Sequence, residues 1–252
     1  MQAVGIVVEY NPFHNGHHHH VTQSKTVTGA EVAIAVMSGQ FLQRGEPALV
    51  DKWHRTKMAL ASGVDLVIEL PYAFSTAPAS LFAKGAVQIL DALNCDSLAF
   101  GSEQGTIEPF LNSYNLIHNN RAHYDTSIRE AVSLGVSYPQ ALHSAYEQLK
   151  QSQVASYIDL AQPNNILGFH YVEAIQGLSS RMQATTIQRI EAGYHDDINT
   201  ASHIASATGI RKALFEGNSL QQTAQFMPET SIQQLLNWQQ LHGQFASWES
   251  FW

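Results

Sequence analysis

Apolar residues arrive in this chain in two rhythms. Residues 3–9 form a short run rich in Val and Ile, uninterrupted until Glu9, which predicts a central strand buried on both faces of a parallel sheet. Asn11-Pro12 ends it. Residues 32–37, 66–70 and 98–100 repeat the run, each followed by a segment long enough for a helix. Helices are expected at about residues 16–28, 50–62 and 79–93, with Gly29, Gly63 and Asn94 suited to their C-terminal stops. This alternation predicts an α/β fold with a doubly wound parallel sheet.

The second rhythm is helical. Between residues 108 and 160 the apolar positions Leu111, Leu116 and Ile117, then Ala141, Ala145 and Leu149, recur at helical spacing without strands, which predicts a helical insertion. Residues 184–190 return to β-type side chains and are expected to form the last strand. A helix then begins near Ile210, after a turn at residues 206–208. The expected organisation is a catalytic-type domain over 1–218 and a helical tail over 219–252, with Ile232, Leu235, Leu236 and Trp238 on the inward face of that tail. Trp248, Phe251 and Trp252 crowd its end and predict a surface that something covers.

Composition narrows the class. With 252 residues, 44% of them hydrophobic, the chain can bury a full core. No run approaches the roughly 20 apolar residues of a membrane span, and Met1 leads straight into a strand rather than a charged leader, so no membrane partner and a cytoplasmic location are expected. The single cysteine, Cys95, fits a reducing compartment and is read as buried and inert. Thirteen Lys and Arg against twenty-one Asp and Glu give a net charge of -8, which excludes a chain-wide electrostatic footprint for RNA. Nucleic-acid contact would have to be local. Arg44, Lys52, Arg55 and Lys57 form one basic cluster, and Arg181, Arg189, Arg211 and Lys212 form another. Arg121, Arg129 and Lys150 of the insertion offer a third surface, for which a solvated face is the favoured reading.

Candidate chemistry concentrates at the first strand's end. His14-Asn15-Gly16-His17 is an H-x-G-H signature where that strand hands over to a helix. Ligands of parallel sheets bind beyond the carboxyl ends of the strands, and a helix N-terminus offers amides and partial positive charge to phosphate. Two imidazoles three residues apart can donate to phosphoryl oxygens as charge develops at the α-phosphate, while Gly16 lets a flat base approach. The competing reading is a His-rich surface turn or metal tract, since His17, His18, His19 and His20 run together. Late in the chain Ser206-Ala207-Thr208-Gly209-Ile210-Arg211 puts two hydroxyls before a helix and a guanidinium one turn in. This is either a second phosphate grip or a simple N-cap with an exposed Arg-Lys pair.

The two motifs together resemble the nucleotidyltransferase superfamily with the HxGH signature. The wider stretches, residues 5–17, 36–47, 63–71, Lys52-Trp53 with residues 55–59, Lys84-Gly85, Phe100-Gly101-Ser102-Glu103, residues 163–168, Tyr194-His195-Asp196 and residues 203–208, are similar to the bacterial tRNA(Met) cytidine acetate ligases. That resemblance spans nearly the whole chain. It implies a Rossmann-like nucleotidyltransferase fold and a two-step reaction. ATP and acetate would give acetyl-adenylate and pyrophosphate, and the acetyl group would pass to N4 of the wobble cytidine of elongator tRNA(Met).

The resemblance carries the ATP site onto Val7, Val8, Glu9, Tyr10, Asn11, Pro12, Phe13, His14, Asn15, Gly16, His17, His18, His19 and His20, with Gly101, Asn164 and Arg189. Ser206 and Thr208 join it through the second motif, and His14, His17 and Arg211 are the expected catalytic groups. Gly101 would allow close approach of a base or ribose, Asn164 offers a donor and an acceptor, and Arg189 would face the phosphates. A plain turn glycine, a helix cap and a sheet-edge cation are the respective alternatives. Mg2+ is expected with the ATP, without a metal site of the protein's own. Ser38, Gly39, Gln40 and Arg44 suit either acetate or the tRNA backbone, and Asp65 and Glu69 read as capping or buried pairing groups. The sequence departs from the family in length. Its members run longer at the C-terminal end, where tRNA contacts are shared. An adenylyltransferase for a small phosphorylated metabolite and a non-catalytic ATP-binding remnant are the alternatives, and the oligomeric state is left open.

Overall fold

Five parallel strands in the order β3-β2-β1-β4-β5 form the sheet of the computed structural model, which describes residues 1–151, 154–189 and 205–251. They are β1 Ala3–Val8, β2 Val32–Ser38, β3 Leu66–Leu70, β4 Ser97–Ser102 and β5 Gln183–Gln188. Every strand expected from the apolar runs is present. Ile190, expected to end the last one, lies outside the described residues, as do Tyr194-His195-Asp196 and Trp252.

The strands separate two cores by simple alternation. Val4, Ile6 and Val8 face one side of β1 with Ala33, Ala35 and Met37 of β2, whereas Ile34 and Val36 face the other with Leu98 and Phe100 of β4. The first core receives α1 Asn15–Thr28, α2 Lys52–Leu60, α9 Ala207–Phe215, α10 Leu220–Thr223 and α11 Glu229–His242. Onto the second pack α4 Ala79–Ala92, the insertion helices α5 Glu108–Asn119, α6 Arg121–Ser133 and α7 Tyr138–Lys150, and α8 Pro163–Gly177. The chain runs outward through β1, β2 and β3, then returns through α3 Tyr72–Ser75 and α4 to β4 on the far side of β1. Strand order therefore reverses between β1 and β4, the switch point at which doubly wound sheets open a crevice.

Local signals explain most element ends. Gly29 stops α1 with φ 67° in the left-handed region. The second helix starts at Lys52 rather than at residue 50, because Asp51 Oδ1 accepts from the His54 amide at 2.8 Å and caps it. Likewise α9 begins at Ala207, so Thr208, expected in the preceding turn, lies inside the first helical turn. Within the tail, Leu235 is fully buried, and Ile232, Leu236 and Trp238 pack on the core that contains α2, as the inward face required. Trp248 and Phe251 turn onto Phe41, with ring centroids 5.8 and 5.3 Å apart, and remain about half exposed.

Candidate active site at the sheet switch point

The carboxyl ends of β1, β4 and β5 open into a cavity of about 480 Å3. Its floor is Val7 and Val8 of β1, and Glu9, Tyr10 and Asn11 follow on its wall. Across it, Gly101 of β4 and Arg189 just beyond β5 lie together, since a Cβ on Gly101 would stand 3.4 Å from Arg189 Cγ. A larger cavity of about 710 Å3 lies at the amino ends of the strands, around Asp91, Asp96 and Arg181. Ligands of such sheets bind at the opposite edge, where the motif residues converge.

The imidazoles build the start of α1. His14 is the N-cap, in extended conformation, and its Nδ1 accepts from the Gly16 amide at 3.0 Å. The His17 Nδ1 accepts in turn from the His14 amide at 3.3 Å, which completes a capping box made of two histidines. Their ring centroids are 3.7 Å apart, and Tyr10 meets the His17 ring edge-on at 4.9 Å. Burial, with Arg189 and Arg211 nearby, pushes His14 down to about 3. Burial, then His14, then Arg189 hold His17 well below the usual imidazole range. His20 is lowered to about 4, by burial first and Arg189 second. Both motif imidazoles are thus neutral at physiological pH. With its Nδ1 occupied as an acceptor, His14 carries its proton on Nε2 and acts as a neutral donor.

At the facing wall, Ser206 caps α9 by accepting from the Gly209 amide at 3.0 Å, a cap that both readings of the second motif share. One turn on, the Arg211 guanidinium donates to the Asn11 carbonyl at 2.9 Å and lies 3.3 Å from Glu46 Oε1 and 3.4 Å from Thr208 Oγ1. Asn11 is itself fixed, its Oδ1 accepting from the Leu49 amide at 2.7 Å. Arg211 therefore ties the first motif to the second across the cavity.

Most of the residues expected in the ATP site line this one cavity, His19 and His20 among them. Four do not. Phe13 is fully buried in the core, His18 points outward, Pro12 lies beneath the turn, and Asn15 Nδ2 donates to the Gln225 carbonyl at 2.9 Å, joining α1 to the tail. Asn164 sits within the first turn of α8 and is not its cap. The carboxylate of Glu103 does that work, accepting from the Asn165 amide at 3.0 Å and from Asn164 Nδ2 at 2.6 Å.

Several groups escaped sequence reasoning. Glu103 and Glu46 were visible only as parts of matching stretches. Arg55, expected in a basic surface cluster, is instead fully buried. Its guanidinium donates to the carbonyls of Glu9 at 2.7 Å, Ser38 at 3.0 Å and Gly39, clamping the ends of β1 and β2. Some of the other cations are answered by acids. Lys52 pairs with Glu69 and Lys25 with Asp65, each at 2.6 Å, so both expected pairing carboxylates are paired, although at the surface. In the insertion, Arg121 meets Asp125 at 3.0 Å and Lys150 meets Glu147 at 2.8 Å, as a solvated face would.

Several buried polar atoms of the cavity wall lack a partner among the described residues. Tyr10 Oη, Asn11 Nδ2, His20 Nε2 and Tyr171 Oη have no hydrogen-bond partner among the described residues, and all four residues line the cavity. Such groups are costly unless something satisfies them. Among the described residues no cluster of three or more His, Cys, Asp or Glu side chains is arranged to hold a metal ion. Among them, too, no helix is long and apolar enough to cross a membrane.

A switch-point crevice lined by paired neutral imidazoles, three guanidinium groups and the first turns of α1, α4, α8 and α9 defines a nucleotidyltransferase site. The chain belongs to the HIGH nucleotidyl transferase family, whose model matches residues 1–252. It is 64% identical over 252 residues to a tRNA(Met) cytidine acetate ligase of Lysinibacillus sphaericus, covering 100% of this chain and 62% of that protein. It is 48% identical over 253 residues to the protein of the same name from Bacillus subtilis, covering 100% of this chain and 60% of that one. A crystal structure of Thermotoga maritima TmcAL bound with alpha-thio ATP superposes with a TM-score of 0.83 at 34% identity, covering 96% of this chain and 57% of that one. The chain thus spans about three fifths of the length of these relatives.

Proposed function

We propose that this chain performs the chemistry of a tRNA(Met) cytidine acetate ligase. An acetate oxygen attacks the α-phosphorus of ATP, forming a P–O bond while the bond to the β-phosphate breaks and pyrophosphate leaves. The exocyclic N4 of the wobble cytidine of elongator tRNA(Met) then attacks the acetyl carbon, loses a proton, and displaces AMP. The observation that carries this reading is the 64% identity over the whole chain to a protein of that name, on a site whose histidines are held as neutral donors.

The roles follow from position. His14 and His17 donate to the α-phosphoryl oxygens as charge accumulates there, a stabilisation that costs no reorganisation because both rings are fixed by backbone amides. Arg189 and Arg211, with the amides at the start of α9, take the outer phosphates. Gly101 admits the nucleoside, and Asn164, held by Glu103, offers it hydrogen bonds. No side chain acts as nucleophile. Mg2+ would arrive with the triphosphate as its counter-ion, since the acidic residues lining the cavity, Glu9 and Glu46, are already engaged by the Gln43 amide and by Arg211. ATP, acetate and tRNA together place the reaction in the cytoplasm.

The test is ATP–pyrophosphate exchange with and without acetate, and with and without tRNA. Exchange that requires acetate but not tRNA is expected. Exchange driven instead by a small phosphorylated metabolite, or ATP binding with no exchange under any condition, would overturn the proposal.

A further inference from the structure

Among the described residues, Tyr171 is the one unpartnered group of the cavity that lies outside residues 7–20. It lies two turns into α8, only 2% exposed, and its hydroxyl has no hydrogen-bond partner among the described residues. The helix is pressed against β4 at this point. A Cβ on Gly168 would stand 2.4 Å from Phe100, so only glycine allows the approach that sets the Tyr171 ring 5.7 Å from Phe100. Phe82 at the start of α4, Phe100 and Leu167 supply apolar walls beside it. Burial and then Glu9 hold the phenol above its ordinary range, so it is a neutral donor that lacks an acceptor.

The fold places this pouch opposite the imidazoles. Tyr171 belongs to the core beneath α4 and α8, whereas α1 packs on the other face of the sheet, and the two meet above the ends of β1 and β4. A molecule whose phosphoryl group faces His14 and His17 would extend its acyl substituent toward Tyr171. The pouch offers one buried hydroxyl donor and bulky apolar walls, the complement of an acyl oxygen with a short alkyl group. Glu9, the titratable neighbour on that side, is raised by burial above the usual carboxylate range, with its Oε1 accepting from the Gln43 amide at 2.8 Å. Repulsion of an incoming carboxylate is correspondingly reduced.

We propose that Tyr171 binds the acyl oxygen of the carboxylate substrate and of its adenylate, with Phe82, Phe100 and Leu167 enclosing a short alkyl group. This rests on the adenylating chemistry proposed above. The probes are 5′-O-(N-acetylsulfamoyl)adenosine, a stable mimic of acetyl-adenylate, and 5′-O-sulfamoyladenosine, which lacks the acetyl group. Binding of each to the chain and to its Tyr171→Phe variant would be measured by calorimetry. The variant keeps the ring and its packing, and removal of an orphan hydroxyl should leave thermal unfolding unchanged or slightly higher.

The wild-type chain should prefer the acetylated compound. Tyr171→Phe should weaken that compound about tenfold and leave the other unchanged, as loss of one hydrogen bond predicts. If the wild-type chain prefers the acetylated compound and the variant does so equally, the inference falls while the proposed function stands. Equal weakening of both compounds would make Tyr171 part of the nucleoside site and overturn the inference as well. A wild-type chain that does not distinguish the two compounds would remove both readings.

Discussion

The Gly16 amide donates to Nδ1 of His14 at 3.0 Å, so the second residue of α1 also fixes the tautomer of a motif imidazole. This bond and the depressed basicity of both rings make them donors of fixed orientation rather than proton shuttles. The pH profile of ATP–pyrophosphate exchange should therefore show no inflection near 6.5 from either ring. His17→Ala should lower exchange by about 10²–10³-fold, the range for loss of one preorganised donor, and weaken ATP binding far less. Equal loss in both measurements would refute the transition-state role.

The same burial links stability to acid. His14, at about 3, titrates in the folded chain far below its unfolded value near 6.5, and His20, at about 4, does likewise. Between those values the unfolded chain binds more protons, so stability is complete above about pH 6.5 and is lost as pH falls toward the folded values. The slope approaches about 1.4 kcal/mol per pH unit for each fully linked ring. His14→Asn keeps an N-cap acceptor but cannot titrate, and it should flatten the curve. Chemical denaturation at pH 7 and pH 5 would check this, and an unchanged slope in the variant would rule out His14 as a source.

Glu46 and Arg211 give an opposite kind of prediction. The pair is 3.3 Å apart, with the guanidinium largely covered and the carboxylate nearly half exposed. On the proposed placement of the outer phosphates at Arg211, a triphosphate shares that guanidinium with Glu46 and lies close to its charge. Glu46→Gln should therefore tighten ATP binding severalfold, whereas Arg211→Ala should weaken it about ten- to a hundredfold. Calorimetric titration distinguishes this from a positioning role, in which Glu46→Gln would weaken binding instead.

How far the sequence could be read depended on the range of each signal. Strands β1, β2 and β4 were legible because runs such as residues 3–9 are buried on both faces, the edge strands β3 and β5 because of their β-type side chains, and the H-x-G-H site because its residues are contiguous and fall at a strand end. The pairing of Asn164 with Glu103 spans 61 positions, and that of Arg211 with Glu46 spans 165, so no local pattern announces either. Tyr171 was invisible for another reason. Inside an apolar helix, a tyrosine with an orphan hydroxyl looks the same as one packed in a core.

Arg55 was misread because a basic residue in a cluster with Lys52 and Lys57 ordinarily belongs to a solvated face. It is instead a buried clamp, and its cost of removal follows from what it satisfies. Burial pushes it down to about 10, opposed by Glu9, Asp51 and Glu69, so it is still charged at neutral pH. Arg55→Met would orphan the carbonyls of Glu9, Ser38 and Gly39 together, at about 1–3 kcal/mol each before relaxation. Arg55→Lys keeps the charge, but a single ammonium cannot span three carbonyls that a planar fork reaches. Both variants should therefore lose at least about 3 kcal/mol in urea unfolding, with lysine recovering only a minor part. A loss below about 1 kcal/mol for Arg55→Met would mean that the strand ends hold their geometry without the clamp, and a full rescue by lysine would mean that charge, not the fork, is what the site requires.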